Sequence, residues 1–170
     1  MLCVMAGNIS SSLNLGKRRK SFWMENRLSQ DQITDLLKKP KTIAVVGLSK
    51  EPEKDSYKVS AYLKQQEYRI IPVNPFADMV LGEKSYKSLL DIPLETQKTI
   101  DVVDIFRRSE DVPPIVEQAI QLKVKFGKPS AVWMQLGIVN EQAAEEARKA
   151  GLIVVMDKCL MIEHHRLLDL

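Results

Sequence analysis

Apolar and polar residues follow one another along the chain in blocks that predict strands and helices in turn. Five short apolar runs are rich in β-branched residues, as expected for strands buried on both faces. The segments between them place apolar residues at helical spacing, for example Val59, Tyr62 and Leu63. The predicted strands are residues 42–46, 69–73, 100–106, 130–134 and 152–156. The predicted helices are residues 29–39, 56–67, 112–123 and 158–168, and one between a cap at Asn140 and a terminating Gly151.

The order of these elements predicts the fold class. Strands that alternate with helices through short connections form parallel sheets with right-handed crossovers. We therefore predict a single-domain α/β protein with a Rossmann-like, doubly wound, five-stranded parallel sheet of order 3-2-1-4-5. In that order the first and fourth strands flank the switch point, and ligands bind there at the carboxyl ends of the strands. The loops after Val46, Val73, Phe106 and Met134 are the ones expected to form a site.

The charge of the chain is concentrated at its start. The chain has 25 basic and 22 acidic residues, and residues 1–24 hold four of the basic ones and no acidic one. The remainder is close to neutral, which argues against nucleic-acid binding. We expect residues 1–24 to be an extension that is disordered or translated in error, ahead of a domain over residues 25–170. An organelle-targeting peptide is the alternative.

Cysteine and histidine positions give little sign of redox or metal chemistry. Cys3 and Cys159 lie near opposite ends without metal-ligand spacing, which favours a reducing compartment, the cytoplasm, and no structural disulfide. His164 and His165 have no third partner at metal spacing. No apolar run approaches the roughly 20 residues of a membrane span. No nucleophile elbow, carboxylate pair or Walker sequence is present, so we predict neither a catalytic residue nor a metal site.

The first loop has the parts of a pyrophosphate cradle. Gly47 permits a tight turn, Ser49 offers a hydroxyl group, and a helix that begins near Ser56 offers free N–H groups. A plain strand-to-helix turn is the alternative. The dinucleotide fingerprint G-x-G-x-x-G is absent, because Ser49 and Pro52 stand at its second and third glycine positions. Asn74 follows the second strand where NAD-binding proteins usually have an acidic residue.

The third and fourth loops offer groups for the rest of a nucleotide ligand. Phe106 can stack on a base, and Arg107 or Arg108 can pair with a phosphate. A core phenylalanine and two surface arginines are the alternative. The fourth loop combines a large apolar residue, an amide and a glycine, which would suit a pantetheine arm: Trp133, Gln135 and Gly137. Trp133 by itself is more typical of a core residue.

Blocks of sequence at the strand ends carry a family resemblance. They include Val45-Val46-Gly47-Leu48-Ser49, Pro72-Val73-Asn74-Pro75, Asp101-Val102-Val103-Asp104-Ile105-Phe106-Arg107-Arg108, Val132-Trp133-Met134-Gln135-Leu136-Gly137, and Asp157-Lys158-Cys159 with Ile162-Glu163-His164. Over residues 41–168 the chain resembles the stand-alone CoA-binding domain proteins, which are similar to the CoA-binding domain of the succinyl-CoA synthetase α subunit. The resemblance implies a Rossmann-like fold with coenzyme A lying across the strand ends.

The resemblance also implies where each part of CoA would lie. It implies that Gly47, Ser49 and Lys50 lie near the phosphates, with Ser56 and Tyr57 at the helix start. The residues implied along the remainder of the ligand are Val73, Asn74 and Pro75 beside the nucleotide, Phe106 and Arg107 near the adenosine, and Trp133, Gln135 and Gly137 beside the pantetheine.

The resemblance stops short of the synthetase reaction. The synthetase α subunit has a second domain with a phosphorylated histidine, and we expect no room for that domain in a chain that ends at Leu170. We therefore predict a non-catalytic or accessory protein that binds CoA or an acyl-CoA. The alternatives are an NAD(P)-dependent oxidoreductase and a CoA-sensing interaction module, and a homo-oligomer is left open.

Overall fold

The computed structural model describes residues 28–39 and 41–168. The first half contains α1 (Gln30–Leu37), β1 (Thr42–Val46), α2 (Asp55–Gln65), β2 (Arg69–Val73), β3 (Met79–Val80), β4 (Glu83–Lys84), a 3-10 turn (Leu89–Asp91) and α3 (Leu94–Gln97). The second half contains β5 (Val102–Ile105), a 3-10 turn (Ser109–Asp111), α4 (Val112–Phe126), β6 (Ala131–Met134), α5 (Glu141–Lys149), β7 (Ile153–Val155) and α6 (Leu160–Leu168). The predictions made for residues 1–24 lie outside the described residues.

Five strands form one parallel sheet in the order β2-β1-β5-β6-β7, and β3 and β4 form a separate antiparallel pair. Helices cover both faces of this sheet. The predicted fold class, a single-domain, doubly wound, Rossmann-like α/β fold with a five-stranded parallel sheet, is confirmed.

The position of the third predicted strand needs a correction. That strand is β5, and it pairs with β1, Val46 lying opposite Ile105. Counted over the five strands of this sheet, the order is therefore 2-1-3-4-5, and β1 and β5 flank the switch point. The sequence carried a signal for this arrangement, because Pro72 lies within β2 and proline is found in edge strands, where a missing N–H breaks no ladder.

Side-chain caps and a glycine define the ends of α1 and α5. At the start of α1 the Ser29 side chain accepts a hydrogen bond from the Gln32 N–H, and the Gln32 side chain accepts one from the Ser29 N–H. At the start of α5 the Asn140 side chain accepts a hydrogen bond from the Ala143 N–H. Gly151 follows the end of α5 with a φ of 79°. Satisfying these terminal groups fixes where each helix begins and ends.

The sheet carries a hydrophobic core on each face. On one face, residues such as Val46 and Ile105 pack with α4 and α5. On the other face, residues such as Val45 and Trp133 pack with α1, α2 and α6. Because β1 and β5 send their following helices to opposite faces, a crevice opens between the loops at their carboxyl ends. Among the described residues, none of the helices combines the length and apolar character required to cross a bilayer.

Candidate functional site

Gly47 ends β1 at the centre of this crevice. Its φ is 89°, and a Cβ atom placed there would lie 2.4 Å from the Phe106 carbonyl oxygen and 3.0 Å from the Arg107 Cδ. Only glycine therefore fits between the loops that follow β1 and β5. The Gly47 N–H donates to the Val73 carbonyl at 2.9 Å, which ties the turn to the end of β2. The tight turn predicted from the sequence is present.

The loop from Ser49 to α2 is held by its own hydroxyl groups. The Ser56 hydroxyl accepts a hydrogen bond from the Ser49 N–H at 3.0 Å, and the Ser49 hydroxyl accepts one from the Glu51 N–H at 3.1 Å. Ser56 is buried, so it shapes the loop from below. No side chain caps the first turn of α2, which leaves the positive end of its dipole facing the loop.

Asn74 joins the loops after β1 and β2. Its side-chain amide donates to the Leu48 carbonyl at 2.9 Å, and its side-chain oxygen accepts from the Phe76 N–H at 2.9 Å. Its own N–H donates to the Tyr86 carbonyl at 2.8 Å. Both ends of the amide are therefore used in shaping the crevice, in the position where an NAD-binding protein would hold a ribose with a carboxylate.

The crevice contains a cavity of about 440 Å³, which we call the crevice cavity. Its size falls within the range of small-molecule sites. Six of its lining residues were predicted as site residues: Gly47, Ser49, Val73, Asn74, Pro75 and Arg107. The other lining residues are Val46, Phe76, Lys87, Glu110, Asp111, Pro114 and Ile115. The residues predicted at the ends of β1, β2 and β5 thus line one cavity in the structure.

Charges of both signs line the crevice cavity. Arg107 enters it and lies 3.4 Å from an Asp111 carboxylate oxygen, measured from its Nη2 atom. Arg108 lies outside the lining and pairs with Asp111 at 3.2 Å and with Glu110 at 3.3 Å. The hydrogen bond from Arg108 holds the pKa of Asp111 below its usual value. Of the two arginines proposed for a phosphate, Arg107 is the one placed at the cavity.

Among the lining residues that were not predicted, Phe76 and Lys87 have side chains suited to contact a ligand. The Phe76 side chain follows the Asn74 turn and is 84% exposed, which is unusual for a large apolar ring and typical of a binding surface. Lys87 reaches the cavity because the β3–β4 hairpin returns the chain to β2, where Tyr86 bridges Val73. Because Phe76 is a large apolar residue directly after the Asn74-Pro75 turn, its position in the sequence could have indicated a site residue. The position of Lys87 depends on the β3–β4 hairpin, and no sequence pattern indicated it.

The family model described as "CoA binding domain" matches residues 41–165 of the chain. The chain belongs to this CoA-binding domain family. The family resemblance seen in the sequence is therefore confirmed.

The chain is also similar to individual proteins over most of its length. The chain is 38% identical over 136 residues to the uncharacterized protein YneT of Bacillus subtilis, which covers 80% of this chain and 94% of that protein. It is 35% identical over 130 residues to an ADP-forming acetate–CoA ligase of Methanocaldococcus jannaschii, which covers 72% of this chain but only 17% of the ligase. The solved structure of a hypothetical protein from Pyrococcus horikoshii aligns with a TM-score of 0.74 and 41% identity, covering 83% of this chain and 93% of that one.

Other residues that the CoA-binding family resemblance implied lie outside the crevice cavity. Lys50 is exposed on the loop before α2, whereas Tyr57 and Phe106 are half-buried against the core beneath α2. Gly137 has a φ of 80°, and its N–H donates to an Asp157 carboxylate oxygen at 2.8 Å. Their contacts with a ligand stay predictions.

Trp133 and Gln135, implied beside the pantetheine, are built into the core of this CoA-binding domain. Trp133 is fully buried, and its indole N–H donates to the Lys158 carbonyl at 2.7 Å. The Gln135 amide donates to both carboxylate oxygens of Asp104 at 2.9 and 3.0 Å, and its oxygen accepts from the Leu160 N–H at 3.4 Å. The two side chains hold the end of β6 against the start of α6.

Asp104 is a buried carboxyl group beneath this edge of the sheet. Burial raises the pKa of Asp104 to about 7, although the hydrogen bonds from Gln135 oppose the shift. The side chain is fully buried on the face of β5 that carries Trp133. Among the described residues, no three His, Cys, Asp or Glu side chains are grouped so that they could hold a metal ion.

Proposed function

We propose that this chain binds coenzyme A, or an acyl-CoA, across the carboxyl ends of β1, β2 and β5, as a non-catalytic or accessory CoA-binding protein of the cytoplasm. The observation that carries the proposal is the crevice cavity at Gly47, found in a member of the CoA-binding domain family. The ADP-forming ligases among the relatives are named for reactions of CoA, which supports the choice of ligand.

The Gly47 turn supports a pyrophosphate-binding role. With no Cβ at Gly47, backbone N–H groups can approach a phosphate closely, and the uncapped start of α2 adds a favourable dipole. Arg107 and Lys87 line the same cavity and supply the cationic groups. A guanidinium can bind a phosphate through two hydrogen bonds, whereas an ammonium acts as a point charge.

The apolar lining supports an adenine-binding role. Pro75 and Phe76 come from the loop after β2, and Pro114 and Ile115 come from the first turn of α4. Apolar side chains from two sides of the cavity suit a purine ring, and an exposed aromatic side chain adds a stacking surface. In this assignment Phe76, and not Phe106, meets the base.

The charged groups of the crevice cavity are two cations and two carboxylates, and one of those carboxylates is paired with Arg107. Within the described ranges Lys87 forms no ion pair, so it is the cation available to an anionic ligand. The half-buried free thiol of Cys159 accords with the proposed reducing compartment.

Calorimetric titration with CoA and with NAD tests the proposal. We expect the parent to bind CoA more tightly than NAD. We expect Gly47→Ala to weaken CoA binding by about tenfold or more, because its Cβ would displace the Phe106 backbone at the phosphate cradle.

Gly127→Ala is the matched control. Gly127 has a φ of 73° and lies at the end of α4, and a Cβ there would meet nothing within 4 Å. This variant carries a similar backbone penalty without touching the crevice, so it should bind CoA like the parent. Tighter binding of NAD than of CoA, or a Gly47→Ala variant with the affinity of the parent, would contradict the proposal.

A further inference from the structure

A second cavity lies along the outer edge of β7, and we call it the edge groove. Its volume is about 370 Å³, and it shares no lining residue with the crevice cavity. Leu28 and Ile33 line it on the side of α1, and Val154 lines it from β7. Glu141 and Arg148 line it from α5. The other lining residues are Val139, Val155, Met156, Asp157 and Lys158, so charged groups lie on α5 and also directly after the end of β7.

The strand at this groove has one side open. Within the described part of the chain, β7 is the last strand of the sheet and pairs only with β6. The Ile153 N–H donates to the Ser130 carbonyl on the β6 side, so the backbone groups of the next residue, Val154, face outward. Ile153 and Val139 beside this edge are 38% and 42% exposed. Val154 lines the groove and is 5% exposed in the single chain. A strand edge that is unpaired in this way is a template for pairing with another strand.

Arg148 and Glu141 are the charged groups of the groove that lie on α5. They are separated by two helical turns on the same side of the helix. In the described ranges, 28–39 and 41–168, neither side chain forms an ion pair, whereas Glu145 and Lys149 on the same helix pair at 2.9 Å. Arg148 is half-buried. A partly buried cation is stabilised by a partner of opposite charge, so the groove favours an anionic group at this end.

The direction of α5 gives the two charges opposite places along the edge. Helix α5 connects the end of β6 to the start of β7, so Glu141 lies at the carboxyl edge of the sheet and Arg148 towards its amino edge. A twofold axis through the middle of β7, perpendicular to the sheet, would pair two β7 strands in antiparallel fashion. The same axis would place Glu141 of each copy opposite Arg148 of the other. The groove is thus complementary to itself.

We propose that the edge groove is the interface of a homodimer. The partner is a second copy of this chain, its β7 pairs with β7 in antiparallel orientation, and two reciprocal Glu141–Arg148 ion pairs fix the register. The dimer would contain one continuous sheet of ten strands, with the two α5 helices side by side on one face. The crevice cavity of each copy would stay open, since it is formed by the other end of the strand order.

Sedimentation equilibrium of the full chain tests the interface by exchanging its charges. The parent should be dimeric. Arg148→Glu and Glu141→Arg should each weaken the dimer by about tenfold or more, because each creates two like-charge contacts. The double variant Glu141→Arg/Arg148→Glu restores opposite charges at both contacts and should recover most of the lost affinity.

Two variants on the same helix serve as controls. Glu146→Arg and Lys149→Glu make the same changes of charge at residues outside the groove lining, so they should dimerise like the parent. Circular dichroism establishes that each variant keeps its fold. A parent that is monomeric at all concentrations would overturn the proposal. A dimer that tolerates both single charge reversals would overturn it equally. So would a double variant whose loss of dimer affinity equals the sum of the losses in the two single variants.

Discussion

The carboxyl edge of the sheet has an open half and a closed half. At the ends of β2, β1 and β5, the loops surround a cavity of about 440 Å³, with Phe76 84% exposed at its mouth. Near the ends of β6 and β7, polar side chains are hydrogen-bonded within the protein: Trp133 donates to the Lys158 carbonyl, and Gln135 donates to the Asp104 carboxylate of β5 and accepts from the Leu160 N–H. Both halves consist of strand ends and short loops, but Trp133 and Gln135 in the second half use their polar groups in hydrogen bonds within the protein.

The difference shows that residues at strand ends of the same sheet can either line a cavity or be buried in the core. Between β1 and β5 the chain moves to opposite faces of the sheet, so no helix covers the gap. At β6 the start of α6 lies over the strand end, and Gln135 is 3% exposed although it follows the last residue of the strand. The polar groups of the closed half are used in holding α6 to the sheet.

The largest expected effect is a difference in protein stability between a substitution in the closed half and one in the open half. Trp133→Ala removes a fully buried indole and should lower the free energy of unfolding by about 3–5 kcal/mol. Phe76→Ala removes an exposed ring and should change it by about 0.5 kcal/mol or less. Urea denaturation of both variants measures the contrast. In CoA titrations the order should reverse, with Phe76→Ala losing more affinity than Trp133→Ala. Equal losses of stability would break the distinction between the halves.

A second test concerns Asp104, the buried β5 carboxyl group that accepts hydrogen bonds from Gln135. Its pKa is raised from 3.8 to about 7, so between those values the folded protein holds a proton that the unfolded chain releases. Stability from this group is therefore present at low pH and is lost as the pH rises towards 7, by about 1 kcal/mol per pH unit.

Comparison with Asp104→Asn isolates that dependence. The variant has no carboxyl group to ionise, and its amide oxygen can still accept a hydrogen bond from Gln135. Relative to the variant, the parent should lose stability between pH 4 and pH 7, measured by denaturation at each pH. Burial lowers the pKa of His164, which makes the opposite contribution in both proteins and cancels in the difference. A constant difference across this range would show that Asp104 does not titrate in it.

Much of the fold was predictable because the strand signals are strong. The β-branched runs at Thr42–Val46 and Arg69–Val73 match the predicted strands at both ends. The position of β5 was not predicted, since alternating elements define crossovers without saying on which side of β1 the next strand pairs. Pro72 contained that information. The two-residue strands β3 and β4 are too short to show a period.

The candidate site was predicted where backbone geometry fixes the residue type. Gly47 is required by its φ and by the nearby Phe106 carbonyl, and a glycine at a strand end is visible in any sequence. Lys87 depends on where a hairpin returns, which is a matter of tertiary structure. Trp133 and Gln135 were expected beside a ligand arm, yet their surroundings are set by α6, far along the chain.

The most direct test of the central claim, that the open half binds CoA, is a thermal-shift series with CoA, dephospho-CoA and NAD at matched concentrations. Ligand at 100 times its dissociation constant adds about 2.7 kcal/mol, which corresponds to a rise in Tm of roughly 2–5 °C for a chain of this length. We predict the largest shift with CoA, a smaller one with dephospho-CoA and the smallest with NAD. Arg107→Ala should narrow the gap between CoA and dephospho-CoA, whereas Arg108→Ala, outside the cavity, should leave it unchanged. A larger shift with NAD than with CoA in the parent would contradict the account.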